Sequence, residues 1–521
     1  MQIGKIILIS IILILSCCSG CMFLRQTKFS LISLVVDDDS GFPRLYVTFN
    51  TSDTAILTLV GPQQTTLFSD TYYYGIHDES LYLNKYRSPP PPGTYTLKVT
   101  DSSKNTIYEN KLQFNGSDLS ITRVSEDWWT EKTGFSLIGL TVTVENTGDL
   151  PVYPYKVNVE QGAAVSEARL MPVVILPYKS MSLHCFIYLT NFPSGETPLN
   201  ISVYDKNNDL LAQTMRVVSP SNPVSSWEYY WHYLGQNSLY IPNAEWFYTY
   251  YKGLPRFDLE DYAAYVFDPY DDAYIRFVAD QLISLPNAPT GNAERADFVA
   301  SFVQSIEYAK DDPLNDSYEY PRYPIETLKE QHGDCEDKAI LTAALLGSLG
   351  YNVSLIRLPD HMAVGVHLTT TLPAYTYYVD QYYFLETTVL HVPLGKVPPE
   401  YQGVTNMTVY PISPRPLLSH SWKNATRYRL STGGDYVNVE MIIENLGTTT
   451  ASNTEVTGAF YDDVNKSFNQ EKTLISSLAP NEKCMVTLTL NVPSSITTSL
   501  KTQLFIDNKM VHQQESTLQF P

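Results

Sequence analysis

The run His332-Gly333-Asp334-Cys335-Glu336-Asp337-Lys338 sets one thiol among three carboxylates, directly before an Ala- and Leu-rich stretch that stops at Gly350. That stretch, 336–349, reads as a helix. Asp334 is placed to cap it, and Asp337 to complete a capping-box-like pair. Cys335 then lies in the first turn, where the helix dipole and free backbone N–H groups favour a thiolate. Gly333 permits a close approach to it. The flanking carboxylates push the thiol pKa the other way, so activation requires a nearby base, for which histidine is suited.

A second stretch, His361-Met362-Ala363-Val364-Gly365-Val366-His367, alternates like a strand and puts His361, Ala363, Gly365 and His367 on one face. Small residues beside His361 leave room for another group. A third, Tyr382-Tyr383-Phe384-Leu385, delivers Glu386, and a carboxylate next to an imidazole fixes its tautomer and stabilises the imidazolium. Asp380, in a turn-like Asp-Gln, is the alternative third member. His332 and His367 could join Cys335 at a metal, but no close Cys/His pair supports this. Tyr320 and Tyr323 are further candidates, for an oxyanion hole.

Gly-Asp-Cys335-Glu-Asp, His361-Met-Ala-Val-Gly-Val and Leu-Glu386-Thr-Thr, in that order and on helix, strand and strand, resemble the transglutaminase-like superfamily. Tyr323-Pro324-Ile325-Glu326-Thr327-Leu328 resembles its microbial branches, and the likeness covers about residues 270–395. The resemblance implies a papain-like α+β core and a cysteine peptidase or acyltransferase. Cys335 would attack a protein or peptide amide, His361 would act as base and acid, and Glu386 would orient it. The thioester would pass to water or to a lysine amine, with no metal or organic cofactor. Family members often carry Asp where this chain has Glu386. A non-catalytic surface protein that binds through the same fold is the alternative.

The elements around these motifs suggest a multidomain chain. Apolar residues at helical spacing mark helices over 271–285 and 293–308, and strands resume from Val353. Flanking segments alternate like strands. Leu140–Val144 before Glu145-Asn146-Thr147-Gly148 matches Val439–Ile443 before Glu444-Asn445-Leu446-Gly447, which reads as a repeated module. These flanks resemble immunoglobulin-like surface modules. The expected plan is an N-terminal signal or anchor (1–29), β-sandwiches over 30–117, 118–220 and 416–521, and a central transglutaminase-like α+β core over 221–415. Cys185 and Cys484 fall on apolar strand faces and read as structural thiols.

Composition agrees with a packed, strand-rich chain: 44% hydrophobic and 17% charged, with 39 Tyr and 33 Pro among 521 residues. A net charge of −20 without a basic stripe argues against nucleic-acid binding. Lys5, the apolar run 6–15 and Cys17-Cys18-Ser19-Gly20-Cys21 suit a cleaved signal, a lipoprotein signal or an uncleaved membrane anchor. Each puts the remainder outside the cytoplasm, at the cell surface, facing a protein, peptide or cell-wall polymer substrate. Beyond the signal, three cysteines make no disulfide framework. Oligomeric state has no sequence signal.

Overall fold

The computed structural model describes residues 28–131, 134–257, 259–311, 319–373, 377–429, 434–494 and 496–520. The signal or anchor segment expected within 1–29 lies almost wholly outside them. No described helix is long and apolar enough to cross a membrane.

The chain divides into two compact units. In the first, Thr66–Tyr72, Ala55–Val60, Gly93–Asp101 and Thr106–Phe114 form a four-stranded antiparallel sheet, in that order. Residues 44–51 pair with Gly75–Tyr82. Strict alternation sends Leu57, Leu59, Tyr95, Leu97 and Val99 inward, where all are buried with Phe49.

The second unit holds the remaining sheets and the helices. Ser180–Phe192, Gly134–Asn146 and Leu119–Glu131 make a three-stranded sheet. It shares one core with the four strands Ala164–Arg169, Lys156–Gln161, Thr197–Tyr204 and Leu210–Val218. Near the C-terminus the arrangement recurs: Leu418–Arg429, Asp435–Asn445 and Lys483–Asn491 oppose Ser467–Leu478, Ala451–Tyr461, Thr498–Ile506 and Lys509–Phe520. The Glu-Asn-x-Gly turns are equivalent in detail. Asn146 Nδ2 donates to the carbonyls of Leu150 and Ile175, and Asn445 Nδ2 to those of Thr449 and Leu478. Each asparagine Oδ1 accepts two backbone N–H groups, from Asp118 and Gly148 or from Leu417 and Gly447.

Between these sheets, among the described residues, lie a hairpin, Ser226–His232 with Gln236–Pro242, and six α-helices. These are α1 (Glu245–Lys252), α2 (Ala263–Val266), α3 (Asp272–Ile283), α4 (Asn292–Ser305), α5 (Pro324–Glu330) and α6 (Cys335–Ser348). Five strands follow: β1 (Val353–Leu358), β2 (His361–Val366), β3 (Tyr378–Val379), β4 (Tyr382–Leu385) and β5 (Thr408–Pro411). They form an antiparallel sheet in the order β3-β4-β2-β1-β5. α6 is apolar nearly all round, with Ala339, Ile340, Leu341, Ala343, Leu345 and Leu346 fully buried. It packs against α2, α3, α4, α5, β1 and β2, which is the surrounding that such a helix requires. The Leu119–Phe192 sheet leans on α3 through aromatic edges: Phe186 meets Tyr274 at 5.1 Å, and Tyr188 meets Phe277 at 4.8 Å.

The expected architecture, a multidomain chain with a papain-like α+β core flanked by all-β immunoglobulin-like sandwiches, is corrected. The described residues are predominantly β, 52% strand against 13% helix, spread over several sheets, and no papain-like core is shown. The physical reason is composition. Strand-favouring Val, Ile, Thr, Tyr and Phe recur at alternate positions even inside 221–415, where Trp227, Tyr229 and Trp231 build a buried hairpin face.

Candidate functional site

The first turn of α6 is held by an ionic clamp. Asp334, in extended conformation before the helix, donates its N–H to the Asp337 carboxylate at 3.2 Å. Asp337 in turn accepts the Arg322 N–H at 2.7 Å and the Arg322 guanidinium. Arg322 also binds Glu330 and Asp311, at 2.9 and 3.0 Å. A Cβ on Gly333 would lie 2.8 Å from Asp337 Cβ, so only glycine allows this approach.

Cys335 is half-buried at the head of the helix. Its S–H donates to Glu336 Oε2 at 3.1 Å, and the backbone N–H of Met362 points at the sulfur. Burial, then the carboxylates of Glu336 and Asp334, push the thiol well above its usual range, and the Met362 N–H offsets only part of this. Among the described residues no hydrogen bond joins the sulfur to His361.

β2 begins with His361, adjacent to that Met362 N–H. Its Nε2 lies 3.0 Å from Glu386 Oε2, and both side chains are buried. Tyr401 stacks on the imidazole, with ring centres 4.5 Å apart and planes 5° from parallel. Glu386 follows β4 and is fully buried. Its other oxygen accepts the Thr388 hydroxyl at 2.5 Å and the Thr388 N–H at 2.8 Å. Burial pushes the Glu386 pKa up, but the bonds from His361 and Thr388 win and hold it below the usual carboxylate value. From α4, Gln304 fixes the backbone by donating to the Glu386 carbonyl at 2.9 Å. Lys338 of α6 is completely buried and donates to the Gln304 and Ile306 carbonyls. Burial brings its pKa down to about 8 against the opposing field of Glu386.

His361 and Glu386 thus pair at the start of β2, and the Met362 N–H next to His361 brings Cys335 to the same strand end. Asp380 sits in an exposed turn with φ +44° and makes no hydrogen bond to His361 among the described residues. His332 lies 3.8 Å from Glu330 and belongs with neither Cys335 nor His367 in any metal-ligating group of the described residues. Tyr320 is bound to Glu326, and Tyr323 is buried against Tyr251 and Tyr265, so both are structural. The room expected beside His361 is filled: Ala363 packs with Ile356, Leu358 and Phe384 in a second small core. Cys185 is fully buried, with its pKa pushed up to about 12 by burial, while Cys484 is half-buried at about 11 for the same reason.

Sequence reasoning missed two parts of the site. One is Tyr401, which carries no motif. The other is a group of three carboxylates, Asp311, Asp334 and Glu336, whose oxygens lie within 4.8 Å of one another. Asp334 was read as a helix cap and, with Glu336, as a charge on the thiol, and Asp311 lies too far along the chain to be associated with them.

No protein family matches the chain, and no curated protein is similar to it in sequence. The solved structures it is similar to include the glycoside hydrolase family 2 β-galacturonidase of Eisenbergiella tayi. That match is 12% identical, with a TM-score of 0.16, over 40% of this chain and 45% of that one. A family 2 β-glucuronidase matches at 8% identity and a TM-score of 0.18, over 93% and 75%. The exo-chitosanase of Amycolatopsis orientalis matches at 8% and 0.16, over 91% and 76%. The chain therefore spans less than half of the first of these proteins and about three quarters of the other two. At such scores the similarity assigns neither a fold nor an activity. The transglutaminase-like resemblance, and with it the cysteine peptidase or acyltransferase working through a thioester, is nonetheless corrected. The geometry gives a physical reason, since the thiol is held protonated against Glu336 instead of paired with His361.

Proposed function

We propose that the chain is a hydrolase in which His361 is the acid–base group, Glu386 positions it, and water is the attacking nucleophile. The 3.0 Å contact between His361 Nε2 and Glu386 Oε2 carries this reading. An ionised carboxylate only accepts, so Nε2 bears the proton and Nδ1 keeps a lone pair for a water or a substrate proton. When Nδ1 takes a proton, the buried anion of Glu386 stabilises the imidazolium. The Thr388 donors keep that anion in place, and the Tyr401 ring restrains rotation of the imidazole. In this reading the neutral thiol of Cys335 is a hydrogen-bond donor in the site and not a nucleophile. The apolar run and cysteines near the N-terminus support an extracytoplasmic, membrane-attached location, where protein, peptide or wall polymer is at hand.

The test is turnover on a panel of chromogenic esters, amides and glycosides. His361→Ala and Glu386→Gln lower kcat/KM by about 100-fold or more, the usual contribution of a positioned base. Cys335→Ser stays within about threefold of the parent. A Cys335→Ser variant as impaired as His361→Ala overturns the reading.

A further inference from the structure

Asp311, Asp334 and Glu336 converge from two separate segments beside α6, with one oxygen of each within 4.8 Å of the others. Asp334 and Glu336 are 8% and 5% exposed, so both are more than nine-tenths buried. Among the described residues no N–H or O–H donor outside the cluster reaches Asp334 Oδ1 or Glu336 Oε1. Glu319 reaches the same place, within hydrogen-bonding distance of Glu336. Buried anions this close repel strongly unless a proton or a cation lies between them. Arg322, the cation that reaches this cluster among the described residues, is already divided among Asp311, Asp337 and Glu330.

We propose that Asp311, Asp334 and Glu336 form a binding site for one calcium ion. The donor set is all oxygen, which suits a hard cation and excludes a preference for soft metals. Three carboxylates, with Glu319 and water to complete the shell, suit the six to eight ligands of calcium better than the tighter octahedron of magnesium. The unpartnered oxygens are those a cation would use, and Arg322 holds Asp311 in place from the far side. The site shares α6 with Cys335 but does not rest on the hydrolase reading.

The experiment is calorimetric titration of the chelator-treated full chain with calcium chloride, paired with melting curves. One equivalent binds, and saturation raises the melting temperature by about 2 °C or more. Glu336→Gln and Asp311→Asn each weaken this binding about tenfold or more. Without calcium, Glu336→Gln melts no lower than the parent, because the amide keeps the shape of the side chain it replaces, and this shows that the variant folds. Absence of binding up to about 5 mM calcium overturns the proposal, because a shared proton then holds the cluster. Binding that neither substitution weakens overturns it as well.

Discussion

At the scale of single residues, the site is decided by which groups bear charge in a dry setting. Glu386 is fully buried yet has its pKa held below the ordinary 4.5, because His361 and Thr388 bind its ionised form. A depressed carboxylate contributes stability above its unfolded pKa and loses it as pH falls through the folded value. Below about pH 4.5 the parent should therefore lose stability more steeply than Glu386→Gln. Near neutrality the variant should be about 3 kcal/mol less stable. Denaturant melts across pH, read for both proteins, check the crossover; parallel curves would show that the Glu386 charge carries no such stability. Cys335 obeys the same physics with the opposite result, since burial and the neighbouring carboxyl groups keep its proton on. The residues were legible in the sequence as a thiol, an imidazole and a carboxylate in order. The charge state of the thiol was not, because desolvation depends on what packs over α6. Nor was the carboxylate cluster, whose third member arrives from a distant segment.

At the scale of elements, β2 carries the argument, because it holds His361 at one end and is buried on both faces. Met362, Val364 and Val366 pack into the main core with α6, while Ala363 joins the second core with Phe384. Gly365 faces the latter side, where a Cβ would lie 2.3 Å from Ser354 Oγ and 2.7 Å from Tyr382 Cβ. Gly365→Ala should cost about 1–3 kcal/mol by overpacking and displace β2 against β4. Chemical denaturation gives the loss, and a shift of the His361 ring resonances gives the displacement. A variant with unchanged stability and unchanged resonances would show that the sheet has slack there. Composition and spacing marked the helices: the Ala- and Leu-rich 336–349 is found as Cys335–Ser348 and the periodic 271–285 as Asp272–Ile283, while 293–308 is found as Asn292–Ser305, the chain being extended from Ile306. The small residues of β2 misled, because a gap in a sequence face is invisible to whatever fills it from elsewhere.

At the scale of the whole chain, strand pairing dominates, and this is where the sequence was most misread. Periodicity locates a strand but does not say which strands share a sheet; the aromatic hairpin Ser226–His232 and Gln236–Pro242 pairs only with itself while its buried face joins the core around the helices. The equivalent turns at Asn146 and Asn445 were visible as a repeated tetrapeptide, and their bonding explains the repetition. Each asparagine ties its turn to neighbouring backbone through four hydrogen bonds. Asn445→Ala leaves buried backbone groups unpaired and should cost about 2–4 kcal/mol. Hydrogen exchange should show faster opening of Asp435–Asn445 and Ala451–Tyr461 while α6 keeps its protection. Uniform loss across the chain would contradict this local account.

The central claim is that His361 and Glu386 form a working pair beside a thiol that stays protonated. Alkylation of Cys335 by iodoacetamide from about pH 5 to 9, followed by intact mass against a Cys335→Ala control, tests it most directly. Labelling should be slower than that of a free thiol throughout that range and indifferent to His361→Ala. Fast labelling well below pH 8 that disappears in His361→Ala would reveal a thiolate–imidazolium pair and contradict it.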